Sequence, residues 1–189
     1  MKCKVLLPII VLSLMSSNTI AHSDTSNPPS ATVPSNATEK QQMGAIEVIL
    51  QDHAHIRSMM ARLDKSLDTN IDESRATYKQ LKDFLVKHET MEQKVFYPEL
   101  EKNADLKSII SDLKKEEDAA ADAIKKIDGI KDNKEWVSKV KELNKAVAEH
   151  AGDEESKLFP KVRQTLDKAK LDEIGNKLKE YKAKNNMQH

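Results

Sequence analysis

The chain has 189 residues, of which 33% are charged and 38% hydrophobic, with only 4 glycines and 6 prolines. This composition is typical of a soluble, helix-rich chain with room for one domain. The 31 Lys and Arg residues balance the 31 Asp and Glu residues, so no net field would attract nucleic acid or an anionic membrane. We therefore expect neither as a partner.

The first 21 residues have the pattern of a secretory signal peptide. Lys2 and Lys4 precede an apolar run over residues 5–15, and small residues lead up to Ala21. The run is too short to span a bilayer comfortably. We expect cleavage after Ala21, export to the periplasm or the exterior, and no membrane attachment afterwards. The only cysteine, Cys3, would leave with the signal, so the mature chain could form no disulfide.

Residues 22–41 are rich in Ser, Thr, Pro and Asn and have almost no large apolar side chains. Such a segment cannot bury enough surface to offset the entropy lost on ordering, which predicts a disordered linker. Cleavage after Ala21 would also leave His22 as a free amino-terminal histidine, which can chelate copper. A chance position beside the cleavage site is the simpler interpretation of this residue.

A bundle domain is predicted over residues 42–184, where apolar residues recur at steps of three and four along the chain. This spacing marks one face of a helix. The first predicted helix carries His53 on its apolar face. The second opens near Asp72 and carries His88 and Glu92 on its apolar face, before Pro98. Polar residues therefore interrupt the faces that should be buried.

The next two predicted helices show the same interruption. The third ends at Gly129, which would cap it, and its apolar face includes Glu117. The fourth begins near residues 132–133 and carries His150 and Glu154 on its apolar face.

A weaker amphipathic segment over residues 171–181 predicts a short fifth helix, packed outside the others or across their end, before a tail at 185–189. Four main helices with short connections imply an antiparallel up-down-up-down arrangement. No sustained alternation typical of strands competes with this pattern. The sequence thus predicts an all-α fold, an antiparallel up-down-up-down four-helix bundle with a short C-terminal fifth helix.

One motif occurs twice, as HETMEQKVFYP at 88–98 and as HAGDEESKLFP at 150–160. In both copies a glutamate follows the histidine by four residues and a proline follows it by ten. Aligning the two halves on this motif gives His53 a counterpart, Glu117, and sets apolar residues opposite apolar residues. A shift of one residue either way would set a charged residue opposite Ile49. The chain is therefore predicted to be internally duplicated.

Six polar side chains should then meet on the bundle axis: His53, His88, Glu92, Glu117, His150 and Glu154. Each buried, unpaired carboxylate costs roughly several kcal/mol, and the carboxylates would also repel one another, so a cation must lie among them. Imidazoles and carboxylates form a ligand set for one or two transition-metal ions, and bundles build dinuclear sites from such helix pairs. A metal-free bundle that senses pH is the alternative, but half-satisfied buried networks are costly.

The neighbours of the motifs are expected to have ordinary roles. His55 should face solvent, and Phe96 and Tyr97 should be packing residues instead of redox relays. Glu89 and Glu155 should be exposed charges, and the alternative is that they contact the ligands from behind.

With these motifs the chain resembles the hemerythrin-like HHE cation-binding domains over roughly residues 43–162. The resemblance rests on three segments: Asp52-His53-x-x-x-Arg57, His88-x-x-x-Glu92 through Phe96-Tyr97-Pro98, and His150-x-x-x-Glu154-Glu155 through Phe159-Pro160. It implies a four-helix bundle with a non-haem di-iron centre that binds or senses dioxygen, reacts with peroxide or nitric oxide, or handles iron. By the resemblance, five residues match ligand positions: His53, His88, Glu92, His150 and Glu154. Glu92 and Glu154 are the candidates to bridge two metals.

Glu117 departs from the family pattern, which usually has histidine there. A carboxylate in place of a neutral imidazole adds one negative charge, which should favour the ferric state and hard, oxygen-loving metals. Reversible oxygen carriage becomes a weaker interpretation. A single iron, zinc or manganese ion also becomes an alternative to two iron ions.

The sequence therefore predicts an exported non-haem di-iron protein that binds, senses or scavenges dioxygen or a related small oxidant such as peroxide. Two alternatives stay open. One is a di-iron peroxidase or oxidase, and the other is a metal storage or delivery module with a single ion. Whether the chain is an enzyme is left undecided by the sequence.

Overall fold

The computed structural model describes residues 43–187, and these residues are all-helical without a strand. In chain order the helices are α1 (Ala45–Leu67), α2 (Ile71–Met91), α3 (Tyr97–Leu100), α4 (Lys107–Gly129), α5 (Asn133–Asp153), α6 (Phe159–Thr165) and α7 (Lys168–Lys184). Two π-helical turns, Glu92–Phe96 and Glu154–Leu158, precede α3 and α6, and a 3-10 turn, Ala104–Leu106, precedes α4. The predicted signal peptide, the linker with His22, and the last two residues of the tail lie outside the described residues.

Side-chain caps define where several helices begin. The side chains of Asn70, Asp132 and Asp167 each accept a hydrogen bond from the backbone N–H three residues later, at the starts of α2, α5 and α7. Such caps satisfy one of the N–H groups that a helix start leaves unpaired. The predicted start of the fourth helix is therefore confirmed. The prediction of a glycine cap is wrong, because Gly129 is the last residue of α4 and no described glycine has a positive φ.

The apolar faces form one core, and its register agrees with the internal duplication. Three residues of α1 and their predicted counterparts in α4 are each at most 2% exposed: Ile46, Ile49 and Leu63, and Ile110, Leu113 and Ile127. Burying one such side chain stabilises a fold by about 1.5–3 kcal/mol. The core therefore fixes which face of each helix points inward, and with it the polar residues on that face.

The helix contacts are consistent with the predicted bundle. Helix α1 packs against α2, α5 and α7, and α4 packs against α2 and α5. Residues 68–70 and 130–132 form the short connections from α1 to α2 and from α4 to α5, as is typical of neighbouring antiparallel helices. The all-α class is confirmed, and the up-down-up-down order stays a prediction. No helix in residues 43–187 combines the length and the apolar character needed to span a bilayer.

Helix α7 is longer than predicted and packs along α1, with contacts also to α2 and to the first π-helical turn. Its Gly175 lies directly on the backbone that leads into α1. A Cβ atom at Gly175 would lie 2.7 Å from the carbonyl oxygen of Met43 and 2.8 Å from the carbonyl carbon of Gly44. The absence of a side chain at this position therefore allows the close approach of α7 to α1.

Replacing Gly175 by alanine should therefore destabilise the protein by about 1–3 kcal/mol, because the added methyl group meets backbone and not a flexible side chain. The better helix propensity of alanine offsets at most about 1 kcal/mol of that loss. Urea denaturation followed by circular dichroism measures the change. Gly129→Ala is the matched control, since a Cβ atom there meets nothing within 4 Å. Equal stability of the two variants would contradict the proposed close packing.

Candidate metal centre

Both glutamates of the repeated motif begin a π-helical turn. In the first turn the N–H of Tyr97 donates to the carbonyl of Glu92, and in the second the N–H of Phe159 donates to the carbonyl of Glu154. Each turn leads to a proline, which has no N–H and whose ring clashes with the carbonyl four residues back. The wider turn accommodates it, so helical winding continues from α2 through the turn and past Pro98 into α3. Turns of this kind often occur at functional sites.

All six predicted ligands lie in the interior. Their exposed fractions are 0% for Glu92 and Glu154, 1% for Glu117, 2% for His53 and His88, and 9% for His150. The side chain of the adjacent Glu116 is 43% exposed, so the internal duplication selected the inward residue of this pair. The predicted convergence on the interior is confirmed, while the role of these residues as ligands is a matter for proposal.

Two overlapping groups of three side chains bring one ligand atom each to within 4.8 Å of one another: His53, His88 and Glu92, and Glu92, Glu117 and His150. Glu92 belongs to both groups. Glu154 adjoins the first group, with its Oε2 atom 3.2 Å from Nε2 of His53. Two groups that share one carboxylate match what a bundle with a dinuclear centre requires.

Several side-chain atoms of these six residues have no hydrogen-bond partner among the described residues. They include the Nε2 atoms of His53, His88 and His150, both carboxylate oxygens of Glu92, and Oε2 of Glu154. Buried polar atoms are almost always paired, and each unpaired one costs about 1–3 kcal/mol. A metal ion would satisfy several at once. Imidazole nitrogens together with carboxylate oxygens suit iron, zinc or manganese.

Each of the three histidines has a carboxylate on its Nδ1 side. The distances from Nδ1 are 2.8 Å to Glu155 Oε1 for His53, 3.0 Å to Glu116 Oε2 for His150, and 3.4 Å to Asp52 Oδ2 for His88. A carboxylate in this position favours the tautomer with its proton on Nδ1 and leaves Nε2 available to a metal. The same outer arrangement at three positions is typical of a metal site.

Two expectations about the outer groups are wrong. Glu155 is not an exposed charge, because its Oε1 atom also accepts a hydrogen bond from Arg57 at 2.8 Å. His55 does not face solvent, because it is half-buried with its ring centroid 4.7 Å from that of Phe84. The contact of Glu116 with His150 was not predicted at all.

Tyr97 is more than a packing residue. Its hydroxyl oxygen lies 2.6 Å from Glu117 Oε1 and 2.9 Å from Glu154 Oε1. A phenol has one proton to donate. It can donate to one of the two carboxylates, and the other must then carry a proton and donate to the phenol oxygen. Burial, followed by the charges of Glu154 and Asp118, raises the pKa of Glu117 to about 8 despite hydrogen bonds from Tyr97 and Gln93. The pKa of Glu154 is instead lowered by His53 despite burial, so Glu117 is the carboxyl of this pair that takes up a proton more readily. The expectation that Phe96 packs in the core is confirmed, since it is 0% exposed.

Glu92 and His88 are also shifted toward their uncharged forms, whereas hydrogen bonding and charge attraction between His53 and Glu154 raise the pKa of His53 and lower that of Glu154 despite burial. Burial, with added repulsion from Glu154 and Glu117, raises the pKa of Glu92 well above its ordinary value. Burial also lowers the pKa of His88, although Asp52 opposes this change. The metal-free centre therefore reduces its charge by holding protons on carboxyls. Binding of a cation would release these protons.

A family model described as the hemerythrin HHE cation binding domain matches residues 44–162. The chain belongs to the hemerythrin HHE family. The cation binding in that description agrees with the donor set of the centre. No curated protein and no solved structure matched the chain. The match covers α1 to α5 and part of α6, so α7 lies beyond the segment that the hemerythrin family shares.

The hemerythrin-type centre borders a cavity of about 20 Å³, which has room for one very small molecule. Apolar side chains, among them Ile56, Leu85 and Val147, line it together with the three histidines. Glu89 also lines it and is only 7% exposed, so the prediction of an exposed charge is wrong. Burial, with added repulsion from Glu117 and Asp118, raises the pKa of Glu89 to about 8.

The stability of the metal-free protein should fall as pH rises. Glu89 and Glu117 have pKa values of about 8 in the fold against an ordinary 4.5, so the folded state holds their protons more tightly. Their contribution is complete below about pH 4.5 and is lost as the pH rises through about 8. Urea denaturation in chelator at several pH values measures this slope. Glu89→Gln should reduce it, and a stability that rises over this range would contradict the pKa shifts.

Proposed function

We propose that the chain is an exported non-haem di-iron protein that binds, senses or scavenges dioxygen or a related small oxidant. The observation that carries the proposal is the pair of three-residue groups that share Glu92, with inward atoms that have no partner in the described protein. Hydrogen-bonded networks of ordinary buried residues do not leave so many atoms unpaired.

In this proposal His53 and His88 hold one ion, and Glu117 and His150 hold the other, with Glu92 between them. Glu154 is the second candidate to bridge, because its Oε2 atom is unpaired beside His53. Iron bound there would supply one-electron redox chemistry and an open position for a small ligand.

The surrounding residues orient the ligands and exclude water. The carboxylates on the Nδ1 side of each imidazole hold the rings with Nε2 inward. Phe159 stacks on the ring of His53 with centroids 6.1 Å apart, and Phe96 meets Phe159 at 6.4 Å. The hydroxyl of Tyr97 and the amide of Gln93 hydrogen-bond to Glu117 and orient its carboxylate. In this proposal the small cavity beside the centre is the space in which the ligand binds.

Metal analysis of protein purified without added metal tests the proposal. We expect about two iron ions per chain, the number that a dinuclear bundle site holds. Iron far below one ion per chain would overturn the di-iron assignment. One zinc or manganese ion per chain would instead favour the single-ion alternative. Absorption of the oxidised protein in the near ultraviolet separates ferric iron from zinc, which has no such band.

A peroxidase or oxidase is the second candidate, and Glu89 is the observation that favours it. This carboxyl lines the cavity and has a pKa of about 8, so it carries a proton near neutral pH and can act as an acid. Turnover of hydrogen peroxide with a reducing dye should then be lost in Glu89→Gln while iron content is unchanged. Equal turnover in both proteins would show that Glu89 is not the acid, and no turnover in the wild type would leave binding or sensing as the function.

Export is proposed from the amino-terminal sequence alone. Its test is amino-terminal sequencing of the protein from its native source, which should begin at His22. A chain that begins at Met1 would overturn the proposed cleavage, without any effect on the metal centre.

A further inference from the structure

One lysine of α7, Lys182, has its charged side chain in the interior of the bundle. The side chain of Lys182 is 11% exposed, and its Nζ atom pairs with Oδ1 of Asp52, which is 0% exposed. Asp52 directly precedes the ligand candidate His53 in α1. Because α7 lies beyond the part of the chain that the family model matches, this ion pair is an addition to the shared domain.

The second oxygen of Asp52 faces the metal centre. Oδ2 lies 3.4 Å from Nδ1 of His88, and Nε2 of His88 lies 3.4 Å from Oε2 of Glu92. One carboxylate therefore connects Lys182 to an imidazole whose other nitrogen faces the candidate metal position. The four residues lie in order from α7 to the shared carboxylate of the centre, and the two inner contacts, at 3.4 Å each, are longer than the contacts of the other two histidines with their outer carboxylates.

The carboxylates beside the other two histidines differ from Asp52 in their exposure to water, and this difference explains why Asp52 needs a cation. Glu155, on His53, is 28% exposed and pairs with Arg57, and Glu116, on His150, is 43% exposed. Water reaches both of those carboxylates. Asp52 has no exposed surface, and a buried carboxylate requires an opposite charge from the protein. Lys182 supplies that charge.

We propose that Lys182 is a positioning residue for the metal ligand His88, which it holds through Asp52, so that α7 contributes to metal affinity. The inference rests on the proposed function. With Oδ1 held by Lys182, the carboxylate presents Oδ2 to Nδ1 of His88 and sets the orientation of the ring. Loss of such an outer partner typically lowers metal affinity about 10–100-fold.

Lys177 offers a matched control on the same helix. Its Nζ atom lies 2.6 Å from Oε1 of Glu99, and its side chain is 42% exposed. Lys177→Met thus removes an ion pair that holds α7 to α3, but it leaves Lys182 and Asp52 intact. A purely structural role of α7 predicts similar effects of the two variants, whereas a positioning role predicts different effects.

The test uses Co²⁺ as the probe, titrated into the full chain after metal removal, with a competing chelator to measure affinity. Lys182→Met should lower Co²⁺ affinity about 10–100-fold and change the ligand-field absorption bands of the bound ion. Lys182→Arg should restore both, and Lys177→Met should match the wild type. If Lys182→Met does not fold, Lys182→Gln replaces it in the same comparison.

Asp52→Asn adds a second measurement. Its effect on Co²⁺ affinity should not add to that of Lys182→Met in the double variant, since both act through one carboxylate. Wild-type affinity and spectrum in Lys182→Met, an equal loss in Lys177→Met, or additive effects would each overturn the positioning role. A wild-type chain that binds no Co²⁺ would overturn the proposed function as well, so the two failures are distinguishable.

Discussion

Glu92→Leu should abolish binding of both metal ions and, at the same time, make the metal-free protein more stable. Glu92 is the only residue in both ligand groups found in the described residues, so its loss leaves neither group complete. In the metal-free fold it is a fully buried carboxyl with two unpaired oxygens. Each buried polar group without a partner costs about 1–3 kcal/mol, and an apolar side chain of similar size removes that cost.

Metal content by elemental analysis and urea denaturation in chelator measure the two effects. Glu89→Leu is the control, because Glu89 is also a buried carboxyl with a raised pKa but belongs to neither group. That variant should gain stability without losing metal. A Glu92→Leu protein that keeps both ions, or that unfolds more easily in chelator than the wild type, would show that Glu92 is not the shared ligand.

Removal of metal should lower the Tm of the wild type substantially. A ligand present at about 1,000 times its Kd stabilises the folded state by about 4 kcal/mol. For a domain of this size that free energy corresponds to a Tm difference of about 8–16 °C. The chelated protein must also take up protons on Glu92 and Glu117, whose pKa values are raised by burial and by neighbouring carboxylates.

Differential scanning calorimetry with and without chelator measures the difference at one pH. Glu92→Leu provides the comparison, since a protein that binds no metal should show the same Tm in both buffers. An unchanged wild-type Tm on complete metal removal would mean that the protein's own hydrogen bonds satisfy the centre.

The six inward residues could be predicted because helical spacing and internal duplication are properties of one chain. Glu117 has no motif of its own, yet the alignment of the two halves placed it opposite His53, and it is 1% exposed. Apolar residues on either side of it fixed the register. The same spacing predicted the main helices, because long amphipathic segments carry a strong periodic signal.

The outer groups could not be predicted, since they depend on contacts between helices. Glu116 and Glu155 look like surface charges on their own helices, and only a neighbouring helix brings an imidazole to them. Asp52 and Lys182 are 130 residues apart, and no local pattern connects them. Glu89 was assigned to the wrong surface for a similar reason, because helical spacing alone did not reveal how α4 covers it.

The π-helical turns were missed because each inserts a single residue. An added residue rotates the remainder of the helix by about 100°, a change that a periodic pattern over a dozen residues hardly registers. The sequence did show a proline at the same distance from each histidine, but that distance alone is also compatible with a helix end.

The two π-helical turns make this protein unusually sensitive to the length of the chain at 92–96 and 154–158. Deletion of Lys94, an exposed residue in the first turn, would restore ordinary helical winding and rotate Tyr97 by about 100°. The phenol would then leave the carboxylates that it now joins, while the rest of the helix could still form. Loss of one codon in either segment is therefore a route by which such a domain could keep its scaffold and lose its metal chemistry.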